Sequence, residues 1–297
     1  MRFVALTTVV VASLCASLVW GQGAATYPNK TVKLVVPVTT GGPSDLVARV
    51  LADKLSTSLK QPFIVENKAG GSQVVGSDAV AKSLPDGYTL LQAAANMAIN
   101  PVLMKNLPYD TLKDFTTVSM THVTPYVIVV PMSSPIKSVP ELLAHIRARG
   151  EAVSYGSTGQ GSPQQLATLL LAQQQNLPRM TEIQYKGSSA AHPDLIAGRI
   201  DFMIDPLAAS GPHIKGGTLR GIAVTTATRN PSYPALPTAI ESGAAGYEFA
   251  SWGGVFAPAN LPPDLLAKLN AEVSKAVNSD DFKKRMEDMG LVAKSST

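Results

Sequence analysis

The chain has 297 residues, 45% of them hydrophobic, with 25 lysines and arginines against 21 aspartates and glutamates, a net charge of +4. That length exceeds the usual size of one compact domain and predicts two lobes around a large core. The basic residues are scattered without a run of four, which excludes a nucleic-acid stripe and a polybasic membrane patch.

Arg2 is followed by the apolar run Phe3 to Trp20 and by small residues from Gly21 to Ala25. This order reads as a signal peptide over residues 1–25, cleaved between Gly21 and Ala25, and places the mature chain in the periplasm. A membrane anchor would need about 20 apolar residues and a stop-transfer flank, whereas Thr26 to Lys30 reads as the exposed start of a mature chain. Cys15 is the sole cysteine, and Leu14 before it is larger than the small residue of a lipoprotein signal. A mature chain without Cys15 has no disulfide, no cysteine-based metal site and no thiol nucleophile.

From Lys33 the chain alternates β-branched runs with helical periodicity. Val32 to Val38 reads as a buried strand and Ser44 to Lys60 as an amphipathic helix, with Leu46, Val47, Val50, Leu51, Leu55 and Leu59 at three- and four-residue steps. Strand Pro62 to Glu66, helix Gly76 to Lys82 and strand Tyr88 to Gln92 follow, the last after the Pro85-Asp86-Gly87 turn. This βαβαβ rhythm predicts an α/β fold with a mostly parallel, helix-covered sheet. The run Val123 to Pro131 and a helix carrying Leu142, Leu143 and Ile146 lead to a second series. That series has strands at 153–155, 181–185, 200–204 and 221–225 and helices at 163–175 and 188–197. The proline-rich stretch Asn230 to Pro237 reads as an extended crossing, followed by strand Trp252 to Ala257 and helix Asp264 to Val277. The expected architecture is lobe one from residues 26–122 and 230–297 and lobe two from 123–229, hinged by two crossings.

Open α/β sheets bind ligands where strand carboxyl ends meet helix amino ends, because unpaired N–H groups and the helix dipole converge there. Each lobe has one glycine-rich junction of this kind. One is Thr39-Thr40-Gly41-Gly42-Pro43-Ser44-Asp45, and the other is Gly156-Ser157-Thr158-Gly159-Gln160-Gly161-Ser162-Pro163. Both place proline at a first helical position, and their glycines let backbone approach a ligand. Asp45 can either cap unpaired N–H groups or contact a ligand. Asn96, Lys186, Gly187 and Asp205 stand at other strand ends. Lys186 could pair with a ligand carboxylate, face solvent or pair with Asp205.

No catalytic constellation is visible. His122, His145, His192 and His213 show no metal-ligand spacing, Tyr155 breaks a nucleophile elbow, and no dinucleotide or Walker pattern occurs. Neither an enzyme nor a cofactor or metal is expected.

The residues resemble the extracytoplasmic solute receptors of tripartite tricarboxylate transporters, the Bug receptors. The likeness runs from about Tyr27 to Val292. It rests on Lys33-Leu34-Val35-Val36-Pro37 leading to Gly41-Gly42 and Asp45, and on Val65-Glu66-Asn67-Lys68 with Gly70-Gly71. It rests also on Pro85 to Leu91, Asn100-Pro101, Leu107 to Asp110, Tyr155-Gly156-Ser157 with Gly159 and Gly161-Ser162, Tyr185-Lys186-Gly187, and Pro212 to Lys215. The resemblance implies a type II periplasmic-binding-protein flytrap whose two loops pinch a ligand carboxylate through backbone N–H groups and bridging water.

It also implies a small organic acid as ligand, a dicarboxylate, tricarboxylate or aromatic acid, and large and small membrane subunits as partners of a monomeric receptor. A sensor that docks on a signalling protein is the alternative; a hydrolase or lyase on the same fold is a distant third. Thr39-Thr40 replaces a Pro-Ala-like pair, and Gln165 stands where histidine is common in the family. The end at Lys294 to Thr297 reads as a truncation that leaves lobe one less well covered.

Overall fold

The computed structural model describes residues 26–297. The expected signal peptide, with Cys15, Trp20 and the cleavage region, lies outside the described residues.

Strand β1 (Val32–Val36) is buried except at Lys33 and leads into helix α1 (Pro43–Leu59), which opens on proline and stops at Lys60 in a left-handed conformation. Val47, Leu51 and Leu55 form its inward stripe. Leu46, expected on that stripe, lies one position off it and is 42% exposed. β2 (Phe63–Asn67), α2 (Val74–Ala81), β3 (Thr89–Ala94) and α3 (Asn96–Leu103) follow. Helix α3 was not expected from the sequence, because Pro101 interrupts an otherwise helical pattern. β4 (Phe115–Pro131) begins earlier than the apolar run suggests, since Thr116, Thr117, Ser119 and Thr121 break the hydrophobic signal.

Lobe two contains α4 (Val139–Arg149), β5 (Ser154–Ser157), α5 (Pro163–Gln174), β6 (Thr181–Gln184), α6 (Ser188–Ile196), β7 (Phe202–Pro206), α7 (Leu207–Lys215) and β8 (Leu219–Val224). The chain then supplies β9 (Ala250–Pro258), α8 (Pro263–Val277), α9 (Asp280–Asp288) and β10 (Val292–Ala293) to lobe one.

The sheet order is β2-β1-β3-β9-β4-β7-β5-β6, with β8 and β10 also paired to β4. β1 pairs in parallel with β2 and β3, and β5 in parallel with β6 and β7. Each lobe is therefore a parallel core completed by antiparallel strands. β4 belongs to both: Phe115 to Pro125 pair with β9, while Tyr126 to Pro131 pair with β7 and β8. The first crossing thus falls at Pro125–Tyr126.

The return crossing falls later than the expected Asn230. Ala239, Ala244 and Tyr247 are buried in the lobe-two core, and Val224 N–H bonds Pro237 O. The proline-rich stretch therefore packs on lobe two, because its neighbours bury apolar side chains there, and the chain returns at Phe249–Ala250. Buried Thr225 joins the two crossings. Its N–H donates to Tyr126 O, its carbonyl accepts from Phe249 N–H, and its hydroxyl lies 2.6 Å from Phe249 O and 3.2 Å from Tyr126 O.

Lobe one is also better covered at its end than expected. Phe282 and Met286 of α9 are fully buried in its core, and Ser296 bonds Ser119.

Candidate ligand-binding cleft

The carboxyl ends of β1 and β5 each open into a glycine-rich loop and then a helix, so two helix starts mark the cleft faces of the two lobes. The first N–H groups of a helix have no intrahelical acceptor. No side chain caps α1 at Gly42. In α5, Ser162 caps by accepting from Gln165 N–H at 3.3 Å. Thr39, Thr40 and Gly41 are exposed, Gly42 and Ser44 half-buried.

Asp45 settles between its two readings by its partners. The side chain is fully buried. Oδ2 accepts from Gly41 N–H and from Arg49 Nε, both at 2.9 Å, and Oδ1 accepts from Asn67 Nδ2 at 2.8 Å and Arg49 Nη2 at 3.1 Å. Burial opposes its ionisation, but the hydrogen bonds from Arg49, Gly41 and Asn67 and the Arg49 charge outweigh that and hold its pKa below the ordinary value. Asp45 fastens the loop from behind, and all its strong acceptor directions are used. Thr40 joins the same network through Asn67 Oδ1 at 3.2 Å.

Loop two is fastened in the same way by different chemistry. Gln165 Oε1 accepts from Gly161 N–H at 2.7 Å, and its Nε2 donates to Glu182 Oε2 at 2.9 Å. Glu182 also accepts from buried Ser157 Oγ, which in turn accepts from Gly159 N–H at 3.0 Å. Thr158 donates to Gln164. Ser157 is thus a buried strut, while Thr158, Gly161 and Ser162 are half-buried on the loop itself.

Asn96 accepts from Gln73 Nε2 at 2.9 Å and anchors the start of α3. Asp205 is fully buried and accepts from Ser188, from Ser210 at 2.6 Å and from the His192 ring at 3.0 Å, tying α6 to α7. Its oxygens are occupied by these partners, so it neither reaches Lys186 nor faces the cleft. Lys186 is exposed and forms no ion pair among the described residues, beside half-buried Gly187.

Sequence reasoning missed Arg49, Asn67, Gln165 and Glu182 as loop anchors. Arg49 was within reach, since a buried carboxylate needs a partner and i,i+4 is where a helix offers one. Asn67 and Glu182 arrive through strand register, with Val36 opposite Asn67 and Tyr155 opposite Glu182.

The lobes touch across the cleft at one point of loop two. A Cβ added to Gly161 would stand 2.2 Å from Leu103 Cδ1 and 3.6 Å from Ile99 Cγ2, so α3 of lobe one lies against this loop. Two hollows of about 690 Å³ are present, one of them lined by Gln165 and Glu182 behind loop two. One lies along α7, Asn230 to Tyr233 and α9–β10; the other borders α5 and β6. Neither includes a loop glycine of the two junctions. Among the described residues no cluster of three or more His, Cys, Asp or Glu is placed to hold a metal, and no helix is long and apolar enough to cross a membrane.

Two parallel-core lobes joined by two crossings, each lobe with a glycine-rich helix start, have the architecture of a periplasmic solute-binding protein. Residues 47–296 match the family described as Tripartite tricarboxylate transporter family receptor. The chain belongs to that family. It is 35% identical over 280 residues to protein BugT of Bordetella pertussis, covering 94% of this chain and 85% of that protein. A solved structure of Rhodopseudomonas palustris Rpa4515 with adipate superposes with a TM-score of 0.75 at 35% identity, over 90% of this chain and 89% of that one. MatC from the same organism, with bound malate, gives 0.69 at 30% identity over 90% of both. The family is one of solute-binding receptors, which accords with the lack of a catalytic constellation in the sequence.

Proposed function

We propose that this chain is exported to the periplasm and closes its two lobes on a small carboxylate-bearing organic acid, which it delivers to large and small membrane subunits of a tripartite transporter. The observation that carries this reading is the matched pair of loops, each held from behind by a side chain that accepts from the glycine N–H four residues earlier. Such anchoring leaves the N–H groups of Gly42 and Ser44 in loop one and of Thr158 and Gln160 in loop two as the donors for an anion, since Gly159, Gly161 and Ser162 N–H are bonded within the protein, with the helix dipoles adding to them. Thr39, Thr40 and Lys186 stand where they can extend these contacts. The adipate and malate in the two similar structures support a carboxylate ligand here. The receptor holds and releases its ligand without a chemical step.

A thermal-shift panel on residues 26–297 with mono-, di- and tricarboxylates, amino acids and aromatic acids tests the reading. A ligand at a thousand times its Kd stabilises by about 4 kcal/mol, so a matching carboxylate raises Tm. A response to sugars or cations with none to any carboxylate would sink it.

A further inference from the structure

We infer that the acid held between the loops lays an aliphatic stretch against α3, and that Leu103 is the side chain that selects it; this rests on the carboxylate-receptor reading above. Helix α3 is fixed to lobe one by Asn96, Met97 and Asn100. Asn96 bonds Gln73, Asn100 Nδ2 donates to Ser72 O at 2.9 Å, and Met97 is buried beside Ser77. Ile99 and Leu103 are one helical step of four apart and so share a face. That face meets loop two at Gly161, where Leu103 closes to contact distance while keeping 46% of its surface open.

Beyond the two helix starts, the charges around the loops leave little for a further anionic group. Arg49 is committed to Asp45 and Asn67. The carboxylates of Asp45, Glu182 and Asp205 are all bonded within the protein. Lys186 is the one cation at these strand ends without an ion pair among the described residues. A ligand carboxylate therefore finds backbone donors at the helix starts, while whatever lies next to α3 finds methyl groups. A hydroxyl or carboxylate placed there loses water without gaining a donor, whereas methylenes gain by burial. The chemistry selects unbranched aliphatic acids, with one carboxylate or one at each end, over hydroxylated di- and tricarboxylates.

Isothermal titration of residues 26–297 with glutarate, adipate and pimelate, against malate, tartrate and citrate, reads this directly. Each added methylene is expected to tighten binding about fourfold until the cleft is filled. Leu103→Ser, at a half-open position, should keep the wild-type Tm, weaken the aliphatic diacids about tenfold or more and change malate by less than about twofold. Malate or citrate binding as tightly as the aliphatic diacids would overturn the assignment with the receptor reading intact. So would an equal loss for every ligand in Leu103→Ser. Wild-type protein that binds no carboxylate at all would overturn the receptor reading itself, and this inference with it.

Discussion

Gln165 does in lobe two what Asp45 does in lobe one: each accepts from the N–H of the glycine four residues before it, at 2.7 Å from Gly161 and 2.9 Å from Gly41. One anchor is a buried carboxylate paired with Arg49, the other a neutral amide steadied by Glu182. Each anchor fixes one glycine N–H of its loop to the helix that follows, the preorganisation that the proposed anion site needs.

The two anchors should fail differently. Asp45→Ala removes a buried carboxylate and takes the shared acceptor from half-exposed Arg49, half-buried Asn67 and Gly41 N–H, and is expected to cost about 1–3 kcal/mol of stability, read by chemical denaturation. Gln165→Ala sits in a half-buried position, so it should keep most of the stability and weaken ligand binding about tenfold, the equivalent of one lost hydrogen bond. Titration calorimetry on both variants checks the contrast.

Gly41 and Gly161 are glycines for different reasons. At Gly41 a Cβ meets no atom within 4 Å, but φ is +90°. At Gly161 φ is +73° and the Cβ also collides with Leu103. Gly41→Ala should therefore cost about 1–2 kcal/mol of local strain with the cleft still able to close. Gly161→Val should hold the lobes apart, seen as a larger radius of gyration at saturating ligand and loss of binding. Unchanged affinity in both variants would make the loops purely structural.

Thr225→Val keeps the shape of the side chain and the backbone bonds but removes the hydroxyl that reaches Phe249 O and Tyr126 O. The expected cost is about 1 kcal/mol, with faster amide exchange at Tyr126, Thr225 and Phe249. Exchange unchanged at these positions would show that the backbone pairing alone holds the hinge.

His122 gives a pH dependence of definite sign. Burial lowers its pKa from 6.5 to about 4. Between those values the unfolded chain takes up a proton that the folded chain refuses, so stability falls as pH drops through that window, with a limiting slope of about 1.4 kcal/mol per pH unit. Asp45 acts at lower pH: its depressed pKa contributes stability that is present above the ordinary aspartate value of 3.8 and lost as pH falls through the folded value. Denaturation curves from pH 7 to pH 4 should be flatter for His122→Gln than for wild type.

Much of the fold was legible because it is written locally. Periodicity placed α1, α5 and α8, and the β-branched runs placed β1 and β3, within a few residues of their observed ends. Helices α3 and α7 escaped because Pro101 and Pro212 mask helical patterns that tertiary packing stabilises. The return crossing escaped for a related reason: proline content marked Asn230 to Pro237 as irregular, but only the burial of Ala239, Ala244 and Tyr247 says which lobe owns it.

The sequence by itself determined two α/β lobes, the two glycine-rich helix starts and the receptor family, since these depend on residue type and near-neighbour spacing. Only the tertiary structure decided what each polar residue does there. Seen alone, Asp45 reads as a cap or a ligand contact, and Asp205 as a ligand contact or a partner of Lys186. Strand register and helix packing bring Asn67, Ser188, His192 and Ser210 to them, and a buried carboxylate with its acceptor sites filled has little left for a ligand.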